Sequence, residues 1–169
     1  MRRKLREQYI TDQLTGLHNR SYYSECIEKL NKQTPETLSV IVADCDHLKQ
    51  INDTYGHLAG NEYIRSCADL MRNSLPENAM VFRTGSDEFV AFLPGTDEKT
   101  AAVLVDRIRE DQKKYRIREN TLSVSIGCST MVPEEDVERC IERADNNMYR
   151  DKHKRKMNAE KSQEGSGKS

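Results

Sequence analysis

Arg83-Thr84-Gly85-Ser86-Asp87-Glu88-Phe89 is the stretch on which the reading of the whole chain turns. Met80, Val81 and Phe82 lead into it, and Phe89, Val90, Ala91, Phe92 and Leu93 lead out. Two short apolar runs around a Gly-Ser pair predict a β-hairpin with a tight turn. Asp87 and Glu88 are adjacent acids beside residues that read as buried. Desolvating a charge is expensive, so carboxylates in such a place need a partner, and a bound cation is one. Taken alone, an Asp-Glu pair reads first as a solvated hairpin tip.

A second anchor lies upstream. Leu38-Ser39-Val40-Ile41-Val42-Ala43 is apolar and β-rich, long enough for a buried strand, and it ends in Asp44-Cys45-Asp46. The polar stretch Lys49-Gln50-Ile51-Asn52-Asp53-Thr54-Tyr55-Gly56-His57 that follows reads as turn-like. Acids at the end of a central strand and at the tip of a hairpin meet if the two strands are neighbours. Two such carboxylates suit Mg²⁺ against a triphosphate, because Mg²⁺ typically uses one or two carboxylates plus substrate phosphates.

Composition sets the frame. At 169 residues the chain holds one domain with short tails. A hydrophobic fraction of 36% with 33% charged residues fits a modest core under a heavily charged surface. No apolar run is long enough to cross a membrane, and the basic N-terminus lacks an apolar signal core. If the chain is a fragment, any membrane segment lies outside it. The formal net charge of -1 implies no general attraction to nucleic acid or to an anionic membrane, although Lys152-His153-Lys154-Arg155-Lys156 is a local basic run. Cys26, Cys45, Cys67, Cys128 and Cys140 form an odd set without CxxC spacing, which reads as reduced thiols in a cytoplasmic protein.

In chain order, residues 1–10 have helix-forming composition and read as an incoming linker helix or a solvated tail. Asn19 is placed to cap a helix over about 20–33, with Tyr23, Ile27 and Leu30 at helical spacing. A second helical pattern runs from about 57 to 74. After the hairpin, Thr96 or Asp97 caps a helix whose stripe is Ala101, Leu104, Val105 and Ile108. Residues 121–128 alternate with period two and read as a half-buried strand. Pro133 opens the last helix, with Val137, Cys140, Ile141, Ala144 and Met148 on one stripe. Residues 158–169 are polar and expected to be disordered. Helices interleaved with strands and a hairpin predict an α+β domain over 11–157, a mostly antiparallel central sheet flanked by helices. No GxGxxG or GxxxxGK[ST] phosphate loop is present.

In order, these segments resemble the GGDEF domain family of diguanylate cyclases. Asp12-x-Leu14-Thr15-Gly16-Leu17-x-Asn19-Arg20 is similar to the family's opening motif. Asp44-x-Asp46-x-x-Lys49-x-Ile51-Asn52-Asp53-x-x-Gly56-His57-x-x-Gly60 is similar to its metal- and base-binding segment. Arg83-x-Gly85-Ser86-Asp87-Glu88-Phe89 matches the signature with Ser86 in place of a glycine. Ser125-Ile126-Gly127 and Ala144-Asp145-x-x-Met148-Tyr149-x-x-Lys152 complete the series. The resemblance implies a sheet like that of adenylyl cyclases and polymerase palms. It also implies one GTP per protomer and a Mg²⁺-dependent condensation (Mn²⁺ as an alternative) at a transient homodimer interface, giving cyclic di-GMP and pyrophosphate. An upstream sensory region is expected if the chain is a fragment.

The same resemblance assigns residues. Asp44, the backbone carbonyl of Cys45 and Asp87 would hold the metal. Asp87, Glu88 and Lys152 would serve catalysis. Leu48 and Lys49 would offer backbone N–H groups to the phosphates as a helix start does, and Lys152 and Lys156 would pair with them as point charges. Lys156 stands where the family often has Arg. Gly85 and Ser86 would lie against the nucleotide, and Asn52 and Asn61 would read the guanine edge. Asn61 replaces the usual Asp, which predicts weaker discrimination of GTP from ATP. Ser86 strains the hairpin if its position needs φ > 0, which predicts reduced activity. Asp46 is given a structural role. Pro76-Glu77-Asn78-Ala79 lacks the R-x-x-D pattern through which many family members bind product. Two alternatives to a cyclase follow: an impaired GTP-binding regulatory domain, or a nucleotidyl cyclase with relaxed purine selectivity.

Overall fold

The computed structural model describes residues 2–166. β1, Leu38–Cys45, runs between two antiparallel neighbours, β3 (Glu88–Pro94) and β6 (Val124–Thr130). β2, Met80–Arg83, pairs with the far side of β3, giving a four-stranded sheet in the order β2-β3-β1-β6. A separate two-stranded piece joins β4 (Arg116–Ile117) to β5 (Asn120–Thr121). Alternate side chains of β1 enter different cores. Leu38, Val40 and Val42 pack with Phe82, Val90 and Phe92 beneath α2 (Arg20–Lys32) and α6 (Val137–Ser166). Ile41, Ala43 and Cys45 face α4 (His57–Ser74) and α5 (Glu98–Asp111). Cover on both faces is why β1 reads as an almost unbroken apolar run. The expected mostly antiparallel sheet flanked by helices is the observed one.

Several boundaries differ from the expectation. Residues 49–57 are not a turn. His47 takes a left-handed conformation, φ 65°, which breaks the strand and starts α3, Leu48–Tyr55. Gly56 alone separates α3 from α4. Ile51 is α3's one buried side chain, too little to give a readable stripe. The last helix starts at Val137 and not at Pro133. Glu134 sits at φ 65°, and Asp136 accepts from the Arg139 N–H at 2.9 Å, as an N-cap does. β6 is buried on both faces, so its alternation of apolar residues with serine and glycine does not mark a wet face. Ser125 and Ser129 are buried, and a Cβ on Gly127 would overlap the Met148 N and Ala144 O backbone atoms. Small residues there let α6 lie against the sheet.

α6 also overruns its expected end. Residues 158–166, expected to be disordered, continue the helix, because Ala159, Glu160, Lys161, Gln163 and Glu164 are good helix formers and a docked helix has already met the cost of nucleation. The remainder of that expectation, residues 167–169, lies outside the described residues, as does Met1. The five cysteines do not all remain thiols. Cys45 and Cys67 are joined as a disulfide across the β1–α4 interface, with Cα atoms 6.7 Å apart, while Cys26, Cys128 and Cys140 are free. Their separation of 22 residues carries no motif, so only the packing brings the pair together. Among the described residues no helix is long and apolar enough to cross a membrane.

α1, Arg2–Ile10, hangs from the N-cap of α2. The Asn19 side chain accepts from the Tyr22 N–H at 3.0 Å and donates to the Tyr9 carbonyl at 2.6 Å. The loop between α1 and α2 closes the free edge of β2: the His18 N–H donates to the Val81 carbonyl, and the Arg83 N–H donates to the His18 carbonyl. Asp12 organises that loop by accepting from the Thr15 N–H and hydroxyl, and it pairs with Arg83 at 3.2 Å. Burial pushes the Asp12 carboxyl upward, but the Thr15 hydrogen bonds and the Arg83 charge outweigh it and hold the group below its usual range.

Candidate active site

The β1–β3 register sets the site. Asp44 lies directly opposite Glu88, so both side chains leave the same face of the sheet, the one that α2 and α6 cover further along. One step on, the Cys45 N–H donates to the Asp87 carbonyl at 2.8 Å, which brings the hairpin tip against the end of β1. Two arginines hold that tip. Arg20 donates to the Thr84 carbonyl at 2.7 Å, and Arg83 to the Ser86 carbonyl at 2.9 Å. Inside the turn the Thr84 N–H donates to the Glu88 carbonyl, and the Thr84 hydroxyl to the Glu88 carboxylate at 3.1 Å.

The electrostatics converge on Asp44. Burial first, and the neighbouring Asp87 charge second, push its carboxyl up to about 6, against the hydrogen bond and charge of Lys152. Lys152 reaches it from α6, with Nζ 3.1 Å from Oδ1. Burial lowers the Lys152 ammonium, but the Asp44 hydrogen bond and charge overcome it, with help from Asp46 and Asp87, so the group is raised. Asp46 is spent on structure, as expected: its two oxygens accept from the Ser123 hydroxyl at 2.8 Å and the Ser125 hydroxyl at 2.7 Å. Two acids that repel, one of them largely desolvated, suit a hard divalent cation. Among the described residues no three of His, Cys, Asp and Glu stand close enough to hold an ion unaided.

Beside the acids, the start of α3 and the middle of α6 enclose a cavity of about 350 Å³ lined by Asp46, His47, Gln50, Lys152, Arg155 and Lys156, among others. Leu48 and Lys49 are the first two helical residues of α3, where backbone N–H groups have no intrahelical acceptor. Asn52 lies in α3, and its side chain packs against Gly60 of α4; Asn61 follows Gly60 in α4. The Asn52 amide lies where a Cβ on Gly60 would stand. A side chain at position 60 would displace the Asn52 amide from its place against α4.

Of the expected site residues, Asp44, Cys45, Asp87, Glu88 and Lys152 come together, and the expected strain at Ser86 is not found. Neither Gly85 nor Ser86 is among the residues with positive φ. Ser86 is exposed, and a Cβ at Gly85 would meet Glu88 only at an ordinary 3.5 Å. The hairpin carries serine without backbone strain. Sequence reasoning gave no role to four side chains that the site uses: Arg20, Arg83, Asp151 and Arg155. Arg20 and Arg83 lie in the motifs quoted above, and Asp151 and Arg155 carried a local signal, an acid four residues before an arginine on a helix.

The diguanylate cyclase GGDEF domain model matches residues 9–158. The chain is 34% identical over 154 residues to diguanylate cyclase DgcP of Pseudomonas aeruginosa, covering 87% of this chain and 23% of that protein. It is 32% identical over 149 residues to diguanylate cyclase DgcS of Shewanella oneidensis, covering 86% of this chain and 50% of that one. The chain therefore spans half or less of the length of these relatives. The crystal structure of the coiled coil and GGDEF domain of DgcB from Caulobacter crescentus, in complex with c-di-GMP, superposes with a TM-score of 0.82 at 27% identity, covering 89% of this chain and 84% of that one.

Proposed function

The chain belongs to the GGDEF domain family, and from that premise we propose that it is a diguanylate cyclase domain that binds one Mg²⁺–GTP and condenses it with the GTP of a second copy. The observation that carries this reading is the closeness of the Asp87 charge to Asp44 at the β1–β3 end, where burial and that charge push the Asp44 carboxyl up to about 6 and Lys152 answers it at 3.1 Å.

Asp44, the Cys45 carbonyl and Asp87 would hold the ion. When bound, a divalent cation neutralises phosphate charge and eases ionisation of the attacking hydroxyl. The chain's own residues do the rest. The first turn of α3, at Leu48 and Lys49, and the cations of α6, Lys152 and Lys156, cradle the β- and γ-phosphates. Asn52 and Asn61 orient the base. Gly85 and Ser86 let the hairpin tip lie along the nucleotide. The 3′-oxygen of one GTP bonds to the α-phosphorus of the other and the bond to the β-phosphate breaks. Pyrophosphate leaves, and the hydroxyl proton passes to a carboxylate of the Asp87-Glu88 pair. Two such transfers close the ring of cyclic di-GMP.

The test is to incubate purified protein with GTP, ATP and Mg²⁺ and resolve the products by chromatography. Cyclic di-GMP with two pyrophosphates per product is the expected result. GTP binding without turnover would replace this reading with that of a regulatory nucleotide-binding domain. Asn61 favours a second reading, relaxed purine selectivity, because an amide offers guanine one acceptor and one donor where a carboxylate offers two acceptors. Asn61→Asp should sharpen the preference for GTP in a competition assay; unchanged discrimination removes that reading.

A further inference from the structure

In the nucleotide site drawn above, Lys156 makes the second cationic contact on the phosphates. The α6 geometry points to another residue. We propose that Arg155, clamped by Asp151, is the guanidinium that grips the polyphosphate of the bound nucleotide, with Lys156 a minor partner. This inference rests on the nucleotide-site reading above and specifies which side chain does the gripping.

Three observations carry it. Lys152, Arg155 and Lys156 lie three and four residues apart on one face of α6, and all three line the cavity of about 350 Å³ against the start of α3. Lys152 is already drawn to Asp44 at 3.1 Å. Arg155 is half-buried, while Lys156 is exposed.

The decisive feature is how Arg155 is held. Its Nε donates to Asp151 Oδ2 at 3.2 Å, and among the described residues its terminal nitrogens make no hydrogen bond. Asp151 is itself fixed. Its Oδ2 also accepts from the Ile126 N–H at 2.9 Å, and Oδ1 pairs with Arg109 Nη2 at 3.2 Å, so α5, β6 and α6 all anchor it. A carboxylate rooted in the sheet thus sets the plane of the guanidinium and leaves the terminal pair of donors to meet phosphate oxygens side by side. A planar fork makes paired, charge-assisted bonds to phosphate that a lysine ammonium does not. Pinning Nε beforehand lowers the ordering cost of that contact. Asp151 is a positioning residue: it acts on the nucleotide only through Arg155.

The probe is a GTP analogue with a methylene bridge between the α- and β-phosphorus, which cannot be turned over, compared with GMP by titration calorimetry in the presence of Mg²⁺. Arg155→Ala is expected to weaken analogue binding by about tenfold or more, and to leave GMP binding within about twofold. Arg155→Lys should recover part of the loss. Asp151→Asn keeps an acceptor for Ile126 but removes the charge that orients Arg155, and it should weaken the analogue selectively as well. Lys154→Ala, a neighbouring cation that lines a different cavity, should change neither ligand. Analogue binding by Arg155→Ala equal to that of the wild type, or a larger loss in Lys156→Ala, overturns this inference and leaves the nucleotide site standing. Failure of the wild type to bind the analogue overturns the nucleotide reading and this inference together. Should Arg155→Ala not fold, Arg155→Lys and Asp151→Asn decide the matter in its place: selective weakening of the analogue supports the inference, and wild-type binding by both overturns it.

Discussion

The Asp44 carboxyl, held at about 6 by burial and by Asp87, links protonation to both stability and cation binding. Its folded value lies above the roughly 3.9 of an unfolded chain, so the fold favours the protonated acid. That contribution is fully present below about pH 4 and is lost as pH rises through about 6, at a cost of up to about 3 kcal/mol near neutrality. A divalent cation relieves that cost only where Asp44 is ionised. Excess Mg²⁺ should therefore raise Tm at pH 7.5 and have little effect at pH 5, as thermal melts across that range would record. Asp44→Asn should raise the cation-free Tm at pH 7.5 and abolish the Mg²⁺ response; an equal Mg²⁺ response at both pH values would contradict the assignment. Ser86 tests the opposite kind of residue, one whose sequence promised strain that the backbone does not carry. Ser86→Gly should leave the rate of product formation essentially unchanged and lower stability by no more than about 1 kcal/mol, through the freer unfolded chain. A large gain in rate would mean the hydroxyl or Cβ obstructs the bound nucleotide. Asp44, Asp87 and Lys152 were named through the family resemblance, and the structure brings them together at the end of β1. The contacts of Asp151 and Arg155 were not legible, because they depend on where the edge of β6 falls beneath α6.

At the scale of elements, the sheet edge shows what periodicity leaves out. β6 is the outer strand, yet its outward-facing backbone is not bare. The Val124 N–H donates to the Gln112 side chain at 3.0 Å and the Ile126 N–H to Asp151 at 2.9 Å. The Cys128 carbonyl accepts from Asn147 at 2.9 Å and the Thr130 carbonyl from Arg143 at 2.7 Å. Every second residue is capped by a side chain, which blunts an edge that invites pairing with another strand. The caps from Asp151, Asn147 and Arg143 need α6 pressed against the sheet, and that depends on Gly127. A methyl group there would overlap backbone atoms of Met148 and Ala144, which cannot swing aside as a side chain can. Gly127→Ala should cost about 1–3 kcal/mol or more, seen as a lower urea midpoint, and should weaken nucleotide binding because Lys152 rides on the same helix. An unchanged midpoint would show that α6 is less closely seated. The sequence offered Ser125-Ile126-Gly127 only as a motif and a half-wet strand. The reason for its small residues is a tertiary contact between segments far apart in the chain, which no local pattern encodes. The helices were legible where their apolar stripes are long, as in α4 and α5, and missed where one side chain does the anchoring, as Ile51 does for α3.

For the whole molecule, the proposed function makes the site of one chain half of a reaction centre. In the function proposed above, one chain supplies the acids Asp44 and Asp87, the asparagines Asn52 and Asn61, and one cavity at the start of α3. The proposed product contains two nucleotides, each attacking the other, so neither chain can complete the ring alone. Pairing also requires the Asp44–Glu88 end of the sheet to be approachable, and the hairpin tip there, Gly85-Ser86, is exposed. α1 presents Leu5 and Tyr9 to solvent and is fastened through Asn19 to α2, so the orientation of α1 is tied to the body that carries the site. Shared catalysis has two kinetic consequences. In dilute solution, product formed per unit protein should rise with protein concentration, because the encounter of two loaded chains limits the rate. A chain carrying Asp44→Asn should still meet a wild-type partner but should not activate its own nucleotide. Added in excess to a fixed amount of wild type, it should suppress product formation by drawing active chains into mixed pairs. Assaying cyclic di-GMP across such a titration distinguishes the cases: specific activity independent of concentration, with no suppression by the variant, would mean that a single chain completes the reaction and that the two-copy arrangement is wrong.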